Sequence, residues 1–187
     1  MFKKRNLIFL CLLIMGVLLI SGCGSTIIPL TYTVGDTGPA GGLIFYDKGS
    51  YSDGWRYLEA APSDQGTGIQ WYNGSYVTTG AIGTAIGTGQ ANTTAIVTIQ
   101  GAGNYAAQFC NDLTVGGYSD WFLPSKDELN LMYTNLKVAG VGGFADTNYW
   151  SSSEDYAGSE WAQNFSSGGQ GYGNGDYTFR VRAVRAF

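Results

Sequence analysis

Between residues 42 and 60 the hydrophobic pattern is that of strands: Gly42–Tyr46 is a short apolar run and Gly54–Ala60 alternates. The polar Gly/Ser/Asp segment from Asp47 to Asp53 then predicts a hairpin connection between them. Residues 62–90 lose periodicity in a Gly/Thr-rich stretch that holds Trp71, Tyr72 and a direct repeat of Ala-Ile-Gly-Thr at 81–84 and 85–88. Helical spacing follows. A short helix is expected from Asn92 or Thr93 through Ile99, and a second, capped by Asn104, runs through Leu113 with Tyr105, Phe109 and Leu113 on one face. Lys126–Leu136 shows the clearest signal, with Leu129, Met132, Tyr133 and Leu136 at helical spacing behind a capping box of Ser125 and Glu128. Three further strands are expected at Asn148–Glu154, Glu160–Phe165 and Tyr177–Phe187, so the order is strands, helices, strands. Trp55, Trp121 and Trp150 are assigned to the core.

The N-terminus has a different pattern. Lys3, Lys4 and Arg5 precede an apolar run from Leu7 to Ile20, too short for a comfortable membrane span and suited to a signal-peptide core. The run ends in Ile20-Ser21-Gly22-Cys23, which resembles a bacterial lipobox. Residues 1–22 are therefore expected to be a lipoprotein signal peptide, Cys23 the lipidated residue, 23–34 a tether and 35–187 a single domain. Acyl chains on Cys23 would anchor the protein to a membrane, because each buried methylene contributes roughly 0.8 kcal/mol. The absence of Asp after Cys23 favours the outer membrane or cell surface.

Composition narrows the chemistry. The 187 residues include 29 Gly and no His, which excludes imidazole-based nucleophile activation and HExxH zinc sites. Residues 1–22 hold three of the ten basic side chains and none of the fourteen acidic ones, so the mature domain is clearly acidic. It lacks the cationic footprint that nucleic acid requires. Once Cys11 leaves with the signal and Cys23 is lipidated, Cys110 has no partner, and its helix position marks it as a small buried hydrophobe. Gly87-Thr88-Gly89 fails the spacing of a phosphate loop and no Lys-Ser/Thr follows. Gly35, Gly38 and Gly41 have collagen spacing, but two triplets make only a Gly/Pro turn.

The segment from Asp155 to Tyr177 is dominated by Gly, Ser, Tyr, Asn and Asp, the composition of antibody-like contact loops and equally of plain hairpin turns. The candidate ligand contacts are Asp155, Tyr156, Ser159, Gln163, Asn164, Gln170, Tyr172, Asn174 and Asp176. Along the last strand Arg180 and Arg182 share one face and Arg185 the other. An Arg in such a strand is expected to be a structural clamp, with Asp120, Glu128 and Glu154 as candidate partners. Asp127 and Glu128 have a structural explanation at the helix N-terminus, and no catalytic pair is assigned.

Taken in order, GDTGPAGGLIFY, GWRYLEAAP, IGTGQANT, GGYSDWFLPSKDELNLMY, YWSSSE and RVRAVRAF resemble the Legionella collagen-like protein C-terminal domain family, over about Val34 to Phe187. The resemblance implies an α+β, C-type-lectin-like fold: small antiparallel sheets, two packed helices, chain ends brought together and long loops on one face. It also implies an exported surface module, adhesin-like or receptor-like, that binds a surface glycan or protein. The stalk of the namesake is absent, so trimerisation is not carried over. The tail is similar to variable proteins of diversity-generating retroelements, which makes a diversified receptor one alternative and a non-binding structural envelope lipoprotein another. Formylglycine-generating enzymes share the architecture but use paired cysteines that this domain lacks, so no enzymatic activity and no cofactor are expected. Pro124 is flanked by Leu123 and Ser125 rather than by the carboxylate or amide side chains of a lectin calcium site. Glu154, Asp155 and Glu160 could assemble an oxygen cage through the fold, and no metal is assigned.

Overall fold

A computed structural model describes residues 30–187, of which Thr31–Phe187 form one compact unit. The signal segment, Cys23 and most of the tether lie outside the described residues. Among those described, no helix is long and apolar enough to cross a membrane.

Among the described residues eight strands and three helices follow in the order β1 (Leu43–Ser52), β2 (Trp55–Ala60), β3 (Gly66–Ile69), α1 (Gly89–Gln100), α2 (Ala106–Asn111), α3 (Lys126–Met132), β4 (Asn148–Tyr156), β5 (Ser159–Asn164), β6 (Gln170–Gly173), β7 (Phe179–Val181) and β8 (Val184–Ala186). The class is α+β. A three-stranded sheet runs β1-β2-β8 and a five-stranded one β3-β7-β4-β5-β6. Strand β8 pairs antiparallel with β2, which ties the C-terminus to the start of the domain.

Several expectations need correction. The first hairpin has its turn at Asp53-Gly54, both at positive φ, and Asp47–Ser52 continues the strand, because β1 bulges to keep pairing with β2. Tyr177–Phe187 is two strands in two sheets, and Arg182-Ala183 is the crossing between them. The sheets are not wholly antiparallel, since β4 pairs with β7 in parallel. Among the described residues there are three short helices, as the apolar spacing predicts, rather than the two that the resemblance implies, and α3 ends in a π-helical turn at Tyr133–Lys137. Helix α1 starts earlier than its apolar spacing implied, because Asn92 is not its cap. The Asn92 amide instead accepts from Gly83 N (3.1 Å) and donates to Gly83 O (2.6 Å), holding the preceding loop. Likewise Tyr105, not Asn104, precedes α2, with no side-chain cap.

The five-stranded sheet separates two apolar clusters, and neighbouring residues alternate between them as a pleat requires. Tyr149 packs with Phe45, Leu58, Phe122, Leu129 and Phe165, whereas Trp150 packs with Trp71, Ile96, Tyr105, Trp121 and Leu123. Trp121 and Trp150 are core residues as expected. Trp55 is only half-buried, under the Lys48 ammonium, and Trp71 is buried although its segment shows no periodicity. Cys110 is buried in α2, and desolvation pushes its thiol up, away from reactive thiolate.

Buried carboxylates organise the glycine-rich loops. Glu59 accepts from Gly42 N (2.7 Å) and Ala40 N (3.1 Å). At Gly38 a side chain would collide with that carboxylate, which accounts for the residue without invoking collagen. Glu128 completes the capping box with Ser125 and accepts from Gly87 N at 2.7 Å. The Gly87-Thr88-Gly89 loop thus cradles an anion from its own chain. Glu154 accepts from Thr79 N, Thr79 Oγ1 and Gly80 N at 2.8–3.1 Å.

The strand arginines act as clamps, with partners other than those expected in two cases of three. Arg185 forks onto Asp120 with two 2.8 Å bonds and reaches Glu59 at 3.4 Å. Arg180 and Arg182 both bind Asp64 at 2.7 Å, in the turn before β3, and neither Glu128 nor Glu154 is their partner. Arg182 also donates to the carbonyls of Ala61 and Gly142.

Candidate functional site

The strands expected at Asn148–Glu154 and Glu160–Phe165 are β4 and β5, but the long loops expected around them are a tight turn and a further strand, β6, so the segment is a three-stranded antiparallel meander whose Gly158 and Gly168 turns sit at positive φ. Turn chemistry, rather than loop length, accounts for much of its Gly and Ser. Among the described residues the long irregular stretch is instead 70–88, before α1. Strand β6 forms the outer edge of the sheet, with one side unpaired.

The nine candidate contacts divide in consequence. Asp155, Tyr156, Tyr172, Asn174 and Asp176 are exposed. Ser159 and Gln163 are buried and offer no contact surface in this structure. The Gln163 amide donates to Asn130 Oδ1 (2.8 Å) and Gly168 O (3.1 Å), joining β5 to α3 and to the turn below it. Asn164 is half-buried and accepts from the backbone N–H groups of Ser166 and Ser167, both at 3.0 Å, so it shapes the β5–β6 turn. Gln170 donates to Lys126 O at 2.9 Å.

On one face of the meander, paired residues Trp161 and Tyr172 bring their rings to 4.2 Å, and the Lys126 ammonium lies 4.0 Å from the Trp161 ring centre. Tyr172 is 55% exposed, so its outer ring face is open while its inner face is fixed. Partial desolvation, then the neighbouring Asp155 and Tyr156, raise its hydroxyl above the ordinary tyrosine value and place those three side chains close together. Trp161 and Lys126 were not among the expected contacts. In the sequence Lys126 is the first residue of a helix, and only the fold brings it over β5.

On the opposite face lies a groove of about 200 Å³, walled by Phe179, floored by Ala162 and Gly171, fringed by the amides of Asn148 and Asn164, and bounded at the sheet edge by the β6 segment that carries Tyr172. Gly171 has negative φ and open space where a side chain would stand, so neither backbone strain nor crowding requires glycine there. Its effect is to leave the edge-strand backbone bare. A larger cavity of about 440 Å³ lies between the turn at Ser63–Gln65 and α2. Three of its polar side chains are engaged internally: Asp64 by two arginines, Gln65 by Ala183 N, and Gln108 by Asp112.

Among the described residues no group of three or more Asp, Glu, His or Cys side chains is arranged to hold a metal ion. Glu154 is occupied by the Thr79 loop, which dismantles the oxygen cage considered with Asp155 and Glu160.

A family model, the Lcl C-terminal domain, matches residues 61–185. The chain belongs to this family. The matched segment holds all three helices, the meander and both faces just described, and leaves out β1 and β2. Glu59, which receives Arg185, therefore lies just outside the family segment that it helps to clamp. A search of curated proteins finds no match.

Proposed function

We propose that the protein is an exported, lipid-anchored binding module of C-type-lectin-like type, tethered through Cys23, whose β5–β6 edge contacts a surface glycan, with a surface protein as the other ligand class. The observation that carries this reading is Tyr172: an aromatic ring held rigid on Trp161, open on its outer face, on the edge strand whose other face borders an amide-fringed groove. Rigid tyrosine supplies contact area at low entropic cost, and the amides across the edge strand orient a polyhydroxylated ligand that wraps it. Membership of the Lcl C-terminal domain family is in keeping with a surface ligand-binding role. The acidic net charge of the mature domain argues for a neutral rather than a polyanionic ligand. No catalytic role is assigned to any residue.

The test is a glycan array and a surface-extract pull-down with the mature domain and with Tyr156, Trp161 and Tyr172 each changed to Ala. Loss of retention in the Tyr172 and Trp161 variants, with an unchanged melting profile, is expected. Unchanged retention in all three would leave the structural-lipoprotein alternative standing. Anchoring is tested separately by Cys23→Ser, which should release the protein from membranes.

A further inference from the structure

Glu59, Glu128 and Glu154 each meet at least two backbone N–H donors. Glu160 departs from that rule. It is 1% exposed, accepts one bond from Gly158 N at 3.1 Å, and its Oε2 has no hydrogen-bond partner. Leaving a buried carboxylate oxygen unpaired costs about 1–3 kcal/mol, so its persistence calls for an account. Glu160 alternates with Trp161 along β5 and therefore serves the face opposite the Tyr172 patch.

Its surroundings are anionic and aromatic. Glu154 on β4 and Asp176 in the loop after β6 both act on its charge, and Tyr72 and Tyr76 stack beside it with centroids 4.8 Å apart. Basic side chains described in the structure are engaged elsewhere: Lys126 on Trp161, Lys48, Arg56 and Lys137 with nearby aspartates, and the strand arginines with Asp64, Asp120 and Glu59. Two glycines keep the approach thin. At Gly175 a side chain would press on both Glu160 oxygens, and at Gly158 it would strike the Tyr76 ring. Tyr76 is half-exposed, so the aromatic pair stands at the surface on this corner.

We propose that this corner is a second binding site for an organic cation, an ammonium or guanidinium group seated against Glu160, with Glu154 and Asp176 as its outer anions and the Tyr72–Tyr76 pair as its aromatic wall. Such a group supplies the donors that Oε2 lacks and gains from the ring faces. Burial, then the Glu154 charge, pushes the Glu160 carboxyl up to about 8. Seating the cation therefore expels a proton, and affinity rises about tenfold per pH unit until about pH 8, then levels off.

Butylammonium chloride titrated into the mature domain at pH 6.5 and 8.5, read by the NMR signals of Tyr72 and Tyr76, tests the proposal. Expected is saturable binding at pH 8.5 that weakens at least about tenfold at pH 6.5. Glu160→Gln should abolish it, and the exposed Asp176→Asn should weaken it a few-fold with the fold intact. Tyr172→Ala should leave it unchanged, which separates this site from the glycan-binding edge. Absence of saturation at pH 8.5, equal binding by Glu160→Gln and Asp176→Asn, or saturation of the same signals by calcium chloride but not by the amine would overturn it.

Discussion

The glycine-rich loops and the outer edge of the meander share a composition but stand in opposite physical states. Loops 35–42, 79–83 and 85–89 are tied down by the buried side chains of Glu59, Glu154, Asn92 and Glu128, whose carboxylates and amide receive their backbone N–H groups. At the β5–β6 edge the backbone of Gly171 lies bare, Tyr172 keeps an open face and Glu160 keeps an unpaired oxygen. The difference teaches that a high glycine content here marks two things: loops folded around internal anions, and a surface whose polar capacity the fold has not consumed.

Breaking the tied-down half should have the largest effect. Arg182 is 2% exposed and holds Asp64 and two carbonyls where the chain crosses between sheets. Arg182→Ala leaves Asp64 with Arg180 as its one cation and the Ala61 and Gly142 carbonyls without their donor, and should cost about 3 kcal/mol in denaturant unfolding. The pH dependence of stability comes next and reports on the edge. Glu160 has a folded pKa of about 8 against an ordinary 4.5, so folding retains a proton that the unfolded chain releases. Its stabilising contribution is full below about pH 4.5 and is lost as pH rises through about 8, with a slope of at most about 1.4 kcal/mol per pH unit. Thermal melts of Glu160→Gln should lack that alkaline loss, and a melting temperature that tracks the wild type across this range would contradict the assignment. Glu154→Gln removes an acceptor from the Thr79 loop and should cost about 1–3 kcal/mol by chemical denaturation. Ser125→Ala deletes the α3 cap, with a cost of about 1 kcal/mol.

What the sequence disclosed was set by distance along the chain. The Ser125–Glu128 box was legible because both partners lie within one turn, and the helix followed from it. Asp120 was among the partners proposed for the arginines. Asp64 was missed because more than a hundred residues separate it from Arg180 and Arg182, and the short strand that positions it, Gly66–Ile69, has too much glycine to show alternation. Ser159 and Gln163 were read as loop contacts on polar composition alone. Pairing within the meander buries them, and no local pattern distinguishes the inward face of a Ser/Gln strand from its outward face. Tyr72 and Tyr76 left one usable signal, tyrosines in an otherwise Gly/Thr-rich stretch.

The smallest expected stability effect is also the most direct functional test. Tyr172→Ala removes an exposed ring and should change unfolding free energy by less than about 0.5 kcal/mol. Retention of this variant on the ligand identified by array, measured beside its melting temperature in the same preparation, should fall at least about tenfold with the melt unchanged, on the order of the 1.4 kcal/mol that a central aromatic contact contributes. Retention equal to that of the wild type would contradict the claim that the β5–β6 edge is the binding surface.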